Sequence, residues 1–236
     1  MRNQTRREFI FDSTKIISVI IGTAVLGKEL LLPQIVEASD IQFAASSCGI
    51  KKNGGHKILI AYASEFGTTG EVAEEIGAVL CQEGNTVETK WVKNVKDLDD
   101  YDAVIIGSPI HKGGWMSEAE EFVKANQKVL QQLPVAYFFT CLFLHELNPK
   151  RDLEAKECSD KLQALVPQVK PVSIGGFAGV LDYSDMGFFN RLVLKTILFK
   201  KGVKEGDYRD WDAIRAWAKN TQLKLKPAPE GLLSLT

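Results

Sequence analysis

The chain has 236 residues, 45% of them hydrophobic, and a formal net charge of −1. That length suits one globular α/β domain with an extra segment at one end, and the balanced charge excludes nucleic acid as a general partner. Four cysteines (Cys48, Cys81, Cys141, Cys158) form no CxxC pair and no zinc spacing, and three histidines (His56, His111, His145) are scattered, so neither a disulfide framework nor a metal site is expected.

Residues 1–38 read as a segment outside the fold. Arg2, Arg6 and Arg7 give a basic start, an apolar stretch runs from Ile16 to Leu26, and Val36-Glu37-Ala38 offers a cleavage site. The apolar run is short for a membrane span, holds Gly22 and is followed by Gly27, which favours a signal over an anchor. Thr5-Arg6-Arg7-Glu8-Phe9-Ile10 resembles the twin-arginine export motif. The resemblance implies export of an already folded protein, to the periplasm or the outer face of the cytoplasmic membrane. An uncleaved amphipathic anchor is the alternative. Residues 39–55, rich in Ser, Gly, Ala and Lys, read as a linker, with Cys48 a linker cysteine.

The domain is expected over 56–224, with 225–236 a tail. Lys57–Ala63 is a continuous apolar run, as a strand buried on both faces should be. Glu71–Glu83 has helical spacing and ends at Gly84-Asn85. Thr86–Val92 alternates as a second strand, and Ala103–Ser108 is a buried third. Ser117–Gln131 is helical and Pro134–Leu142 is a fourth strand. Asp152–Leu165 is a helix and Val172–Gly179 a fifth strand. Asp210 caps a last helix that runs to Leu223. This alternation predicts a parallel, doubly wound sheet with helices on both faces. Ligands in such sheets bind at the carboxyl ends of the strands, near Ser64, Ser108 and Thr140-Cys141.

The first of these loops, Ser64-Glu65-Phe66-Gly67-Thr68-Thr69, opens a helix. Helix amino-termini offer unpaired N–H groups and a positive dipole end, Gly67 lets the backbone approach, and the hydroxyls add donors. The loop has no lysine and matches neither GxxxxGK[ST] nor GxGxxG, which disfavours a nucleoside triphosphate. A single phosphomonoester fits, with Glu65 turned to solvent; an ordinary Ser/Thr cap is the alternative.

Ser64-x-x-Gly67-x-Thr69, after KILIAYA and before EVAEEI, resembles the flavodoxin phosphate loop, and Asp102–Ile110 resembles that family's third strand and second flavin loop. GGFAGVLDY, NRLVLKTILFKK and DYRDWDAIRAWA are similar to a narrower branch that contains the menaquinone-dependent protoporphyrinogen dehydrogenases. The resemblance covers roughly residues 56–220. It implies a flavodoxin-like five-stranded parallel sheet of order 2-1-3-4-5 and noncovalent FMN, its phosphate on the first loop. Ser108, Pro109, Ile110, His111, Lys112, Gly113 and Gly114 would then flank the flavin ring. Gly113-Gly114 suits a peptide that turns its carbonyl to the ring, and His111 and Lys112 either place positive charge there or face solvent. Trp115 either stacks on the ring or packs under the next helix. Thr140, Cys141 and Leu142 would complete the third flavin loop, with Cys141 either a core residue or redox-active.

Met186–Lys204 carries five basic residues and no acidic one, with apolar residues around much of its circumference. It either packs on the core or docks to a membrane, quinone or partner. Three functions are weighed. The first is an exported FMN protein that moves electrons to a partner protein or quinone near the membrane. The second is a protoporphyrinogen dehydrogenase-like enzyme with a quinone acceptor. The third, a non-redox adaptor, is disfavoured by the intact phosphate loop. Flavin colour and protoporphyrinogen activity separate the three.

Overall fold

Each parallel strand divides its side chains between two cores. The computed structural model describes residues 43–49, 55–111, 113–145, 149–182, 191–192, 195 and 203–225, all within one unit, Ile41–Thr236. The twin-arginine-like segment, the tail 226–236, Lys112 and most of 186–204 lie outside the described residues. In chain order the elements are β1 (Ser46–Cys48), β2 (Lys57–Tyr62), α1 (Thr68–Gln82), β3 (Thr86–Trp91), β4 (Ala103–Pro109), α2 (Ser117–Ala125), α3 (Gln127–Leu130), β5 (Val135–Thr140), α4 (Pro149–Leu165), β6 (Ser173–Phe177), β7 (Val180–Leu181), β8 (Gly206–Asp207) and α5 (Trp211–Gln222).

Alternate residues of a strand point to opposite faces. Ile58, Ile60 and Tyr62 of β2, with Ile105 of β4 and Phe138 of β5, face α1 and α5. Leu59 and Ala61, with Val104, Ile106, Tyr137 and Phe139, face the other way onto Ala119, Phe122 and Val123 of α2. Burial on both faces explains why these strands are apolar throughout.

The sheet order is β1-β3-β2-β4-β5-β6. Its five parallel members follow the order 2-1-3-4-5 expected from the sequence. β1 adds a sixth, antiparallel strand along β3, from inside the stretch that reads as a linker. The expected helix 117–131 is two helices: the Asn126 side chain donates to the Phe122 carbonyl at 2.9 Å and ends the first at Ala125. Asp210 caps α5 as expected, accepting from the Ala213 N–H.

A correction concerns the cysteines. Cys48 and Cys81 are joined in a disulfide that ties β1 to the last turn of α1. Their separation of 33 residues carries no spacing signal, and only the pairing of β1 with β3 brings them together. Phe43 stacks on Trp91 with ring centroids 4.3 Å apart, and the Tyr62 hydroxyl donates to the Ala44 carbonyl. β1 is therefore strapped along its length.

Near the amino ends of the strands, Glu88 accepts from the Tyr101 hydroxyl at 2.7 Å and pairs with Lys90 and Lys57. The Lys90 ammonium, helped by Tyr101 and Lys57, pushes the Glu88 carboxyl down to about 2 from its ordinary 4.5.

Two outcomes follow from these contacts. A carboxyl held below its ordinary value adds stability above that value and loses it as pH falls through the folded one. In urea unfolding, wild type should therefore exceed Glu88→Gln at pH 6, and the gap should shrink steadily between pH 4.5 and pH 2. Cross-linking a loop of this length restricts the unfolded chain, so Cys48→Ser with Cys81→Ser should lower the unfolding free energy by about 2–4 kcal/mol. Dithiothreitol should do the same to wild type and nothing to the double variant.

Candidate functional site

The carboxyl edge of the sheet gathers the residues singled out in the sequence. Buried hydroxyls close three neighbouring strands there: Ser64 after β2, Ser108 in β4 and Thr140 at the end of β5. Parallel pairing of β2 with β4 and β4 with β5 makes their ends adjacent.

The first loop leads into α1 through Gly67. Its φ of 84° is left-handed, a conformation that suits glycine, and no side chain caps the helix. The opening turn thus keeps amides pointed outward at the positive end of a 15-residue helix. This favours the anion-cradle reading over an ordinary Ser/Thr cap. Thr69 is buried, and its hydroxyl lies 3.0 Å from the Thr140 hydroxyl, which joins the first loop to the third. Phe66 is exposed.

The second loop is a tight turn. His111 N donates to Gly114 O at 2.8 Å, and Gly114 N donates to His111 O at 3.0 Å. Of the two glycines, Gly113 takes the positive φ, at 80°. The Lys161 ammonium, from α4, donates to the Gly113 carbonyl at 2.6 Å. Ser108 Oγ donates to Pro109 O and accepts from Met116 N, which fixes the two sides of the turn. Ile110 N donates to Thr140 O, joining this loop to β5. Glu65 lies at the surface as expected, where its carboxylate meets His111 Nδ1 at 2.7 Å and bridges the first and second loops. Trp115 packs in the core, edge-on to Tyr137 at 5.7 Å, so the packing reading of this residue holds.

In the third loop, Cys141 N donates to Phe177 O. Cys141 is half-buried and outside the disulfide, and its side chain packs against the core. Leu142 begins a short 3-10 turn to His145. His145 Nδ1 lies 2.7 Å from Leu142 O, and its ring meets Tyr208 at 4.6 Å.

Sequence reasoning missed Arg209. Its guanidinium grips Asp207 through Nε and Nη2, meets Glu71 at 2.7 Å and donates to the Thr68 carbonyl at 3.3 Å. The same group stacks over Trp211. Hydrogen bonding to Arg209 holds the Asp207 carboxyl below its ordinary value. The motif DYRDW was visible, but nothing in it points to a partner 141 residues away.

Comparison with known proteins bears on this edge. A flavodoxin domain model matches residues 59–208. Among curated proteins, the chain is 26% identical over 170 residues to the protoporphyrinogen IX dehydrogenase [quinone] of Escherichia coli K12, covering 69% of this chain and 93% of that protein. It is 27% identical over 187 residues to the protein of that name from Leishmania major, covering 74% and 79%. Among solved structures, oxidised flavodoxin 1 from Bacillus cereus aligns with a TM-score of 0.41 at 19% identity, over 63% of this chain and 99% of the other. The domain match spans well over half the chain and contains all three loops, and the protein belongs to the flavodoxin family, the FMN-binding α/β flavoproteins.

Proposed function

We propose that this protein is an exported redox protein that holds one FMN at the carboxyl edge of its sheet and delivers electrons to a quinone or a partner protein. The observation that carries this reading is the uncapped amino-terminus of α1, with Gly67 left-handed and the buried hydroxyls of Ser64 and Thr69 beside it. That donor set, without a lysine, fits one phosphomonoester. When bound, FMN supplies reversible two-electron chemistry at its ring.

The chain's own residues would bind and orient it. The amides at 67–69 would receive the phosphate. The Thr69–Thr140 contact sets the distance from that cradle to the third loop. The His111–Gly114 turn would offer its backbone to the ring, and the Glu65–His111 pair holds the first and second loops together. When protonated, His111 would bring positive charge towards a reduced, anionic ring. On the acceptor side, two electrons and two protons convert a quinone to a quinol.

Export is supported by Arg6-Arg7 ahead of an apolar run and by the Cys48–Cys81 disulfide, a bond that persists in oxidising compartments. Docking to a membrane through 186–204 rests on the composition of that stretch, where Arg191, Leu192 and Lys195 are exposed. Among the described residues no helix is long and apolar enough to cross a membrane. A second reading, oxidation of protoporphyrinogen with a quinone acceptor, is favoured by the curated relatives of that name, matched over 93% and 79% of their lengths.

Purified protein should carry one FMN per chain, released by acid and identified by chromatography. FAD, or no flavin, would sink the proposal. Thr69→Ala should weaken FMN binding by roughly 1–3 kcal/mol, since it removes a hydroxyl and strands Thr140. The reduced protein should be reoxidised by a menaquinone analogue. Turnover with protoporphyrinogen IX would select the second reading, and its absence the first. Arg6→Lys with Arg7→Lys should leave flavin-loaded protein in the cytoplasmic fraction; unchanged export of this variant would remove the twin-arginine assignment.

A further inference from the structure

Arg209 stands out among the groups around the carboxyl edge because its charge is enclosed. Its side chain keeps 8% of its surface exposed, whereas those of its carboxylate partners Asp207 and Glu71 keep 43% and 55%. Asp207 takes two sides of the guanidinium. The remaining nitrogen, Nη1, serves Glu71 Oε2 and the Thr68 carbonyl together. Trp211 covers the flat face, 4.4 Å from ring centroid to guanidinium carbon.

Both residues held by Nη1 belong to the first turn of α1. Thr68 is its first residue and Glu71 the acidic residue of that turn. A carboxylate in a helix's first turn is attracted to the unpaired amides there. Left to itself, Glu71 would compete with an incoming anion for the same donors, or repel it. In the structure it is drawn outward onto Arg209 instead. Asp207 and Arg209 cancel, so the three groups carry one net negative charge; without the guanidinium they would carry two beside an anion cradle.

We propose that Arg209 is a positioning residue of this site, which sets its preference for a phosphorylated ligand by anchoring Thr68 and holding the Glu71 carboxylate away from the amides of α1. The proposal deepens the FMN reading above and rests on it. Arg209 also joins β8, at the exit of the segment that follows β7, to the cradle 141 residues earlier. A residue late in the chain thus braces the first turn of α1.

The test compares FMN with riboflavin, which has the same ring and no phosphate, on flavin-stripped full-length protein. Dissociation constants are read from flavin fluorescence quenching. Arg209→Gln should weaken FMN by roughly tenfold or more, as expected for losing control of one charge. Riboflavin affinity should stay within about twofold, well under the size of one such contact. Adding Glu71→Gln to Arg209→Gln should recover most of the FMN affinity, because the displaced carboxylate is then neutral. Arg209→Lys should fall between wild type and Arg209→Gln, since one ammonium cannot hold Asp207 and Glu71 in a planar fork; it also serves if the Gln variant folds poorly. An unchanged ratio of FMN to riboflavin affinity in both Arg209 variants overturns the proposal. So does an equal loss of both ligands with no rescue by Glu71→Gln, which would make Arg209 a general brace. Wild type that binds riboflavin and FMN equally, or neither, would instead fail the FMN reading itself.

Discussion

The rest of the structure depends on a parallel sheet buried on both faces. Because β3, β2, β4, β5 and β6 run the same way, the three strands with a neighbour on both sides, β2, β4 and β5, use their backbone polar groups in the ladder, and the loops after the strands collect at one edge. That edge is where Ser64, Ser108 and Thr140 end their strands, and where α1 begins. The positive end of the α1 dipole and a helix start without a side-chain cap lie at the same edge. The uncapped start of α1 is brought to this edge by topology, and side chains refine its surroundings.

Cross-links between loops do the refining. Thr69 meets Thr140, Ile110 meets Thr140, Glu65 meets His111 and Lys161 meets Gly113. Each contact joins segments that are far apart in the chain, the last of them from helix α4. Together they make the spacing of the three loops a property of the whole edge, so a ligand that spans them meets a surface already in register. Buried hydroxyls favour this role because an unpaired one is costly, which holds each in its pairing.

The parts of this architecture visible in the sequence are those encoded locally. Apolar runs such as KILIAYA and AVIIGS read as doubly buried strands because the burial is written into every residue. Gly67 and the hydroxyls beside it marked the turn that opens α1, and Asp210 marked the cap of α5, because turn and cap chemistry act within a few residues. What stayed hidden depends on distance. The Cys48–Cys81 bond needs β1 laid against β3, and the Arg209 tether needs β8 brought beside α1. Neither partner carries a mark that names the other. Asn126 was locally encoded but ambiguous, since an asparagine inside an amphipathic pattern is compatible with either a continuous helix or a stop.

The strap formed by β1 has a bearing on how this protein avoids self-association. Without it, the six residues of β3 would end the sheet with an open row of amides and carbonyls, a template for a strand from another molecule. β1 pairs with Val87, Glu88 and Thr89 at the middle of that row and leaves an edge of three residues, two of them serines. A segment so short offers few hydrogen bonds to an intruding strand, and its covalent bond to α1 keeps it from peeling away. The cysteine pair thereby shortens a sheet margin open to intermolecular pairing, a safeguard against fibrous assembly.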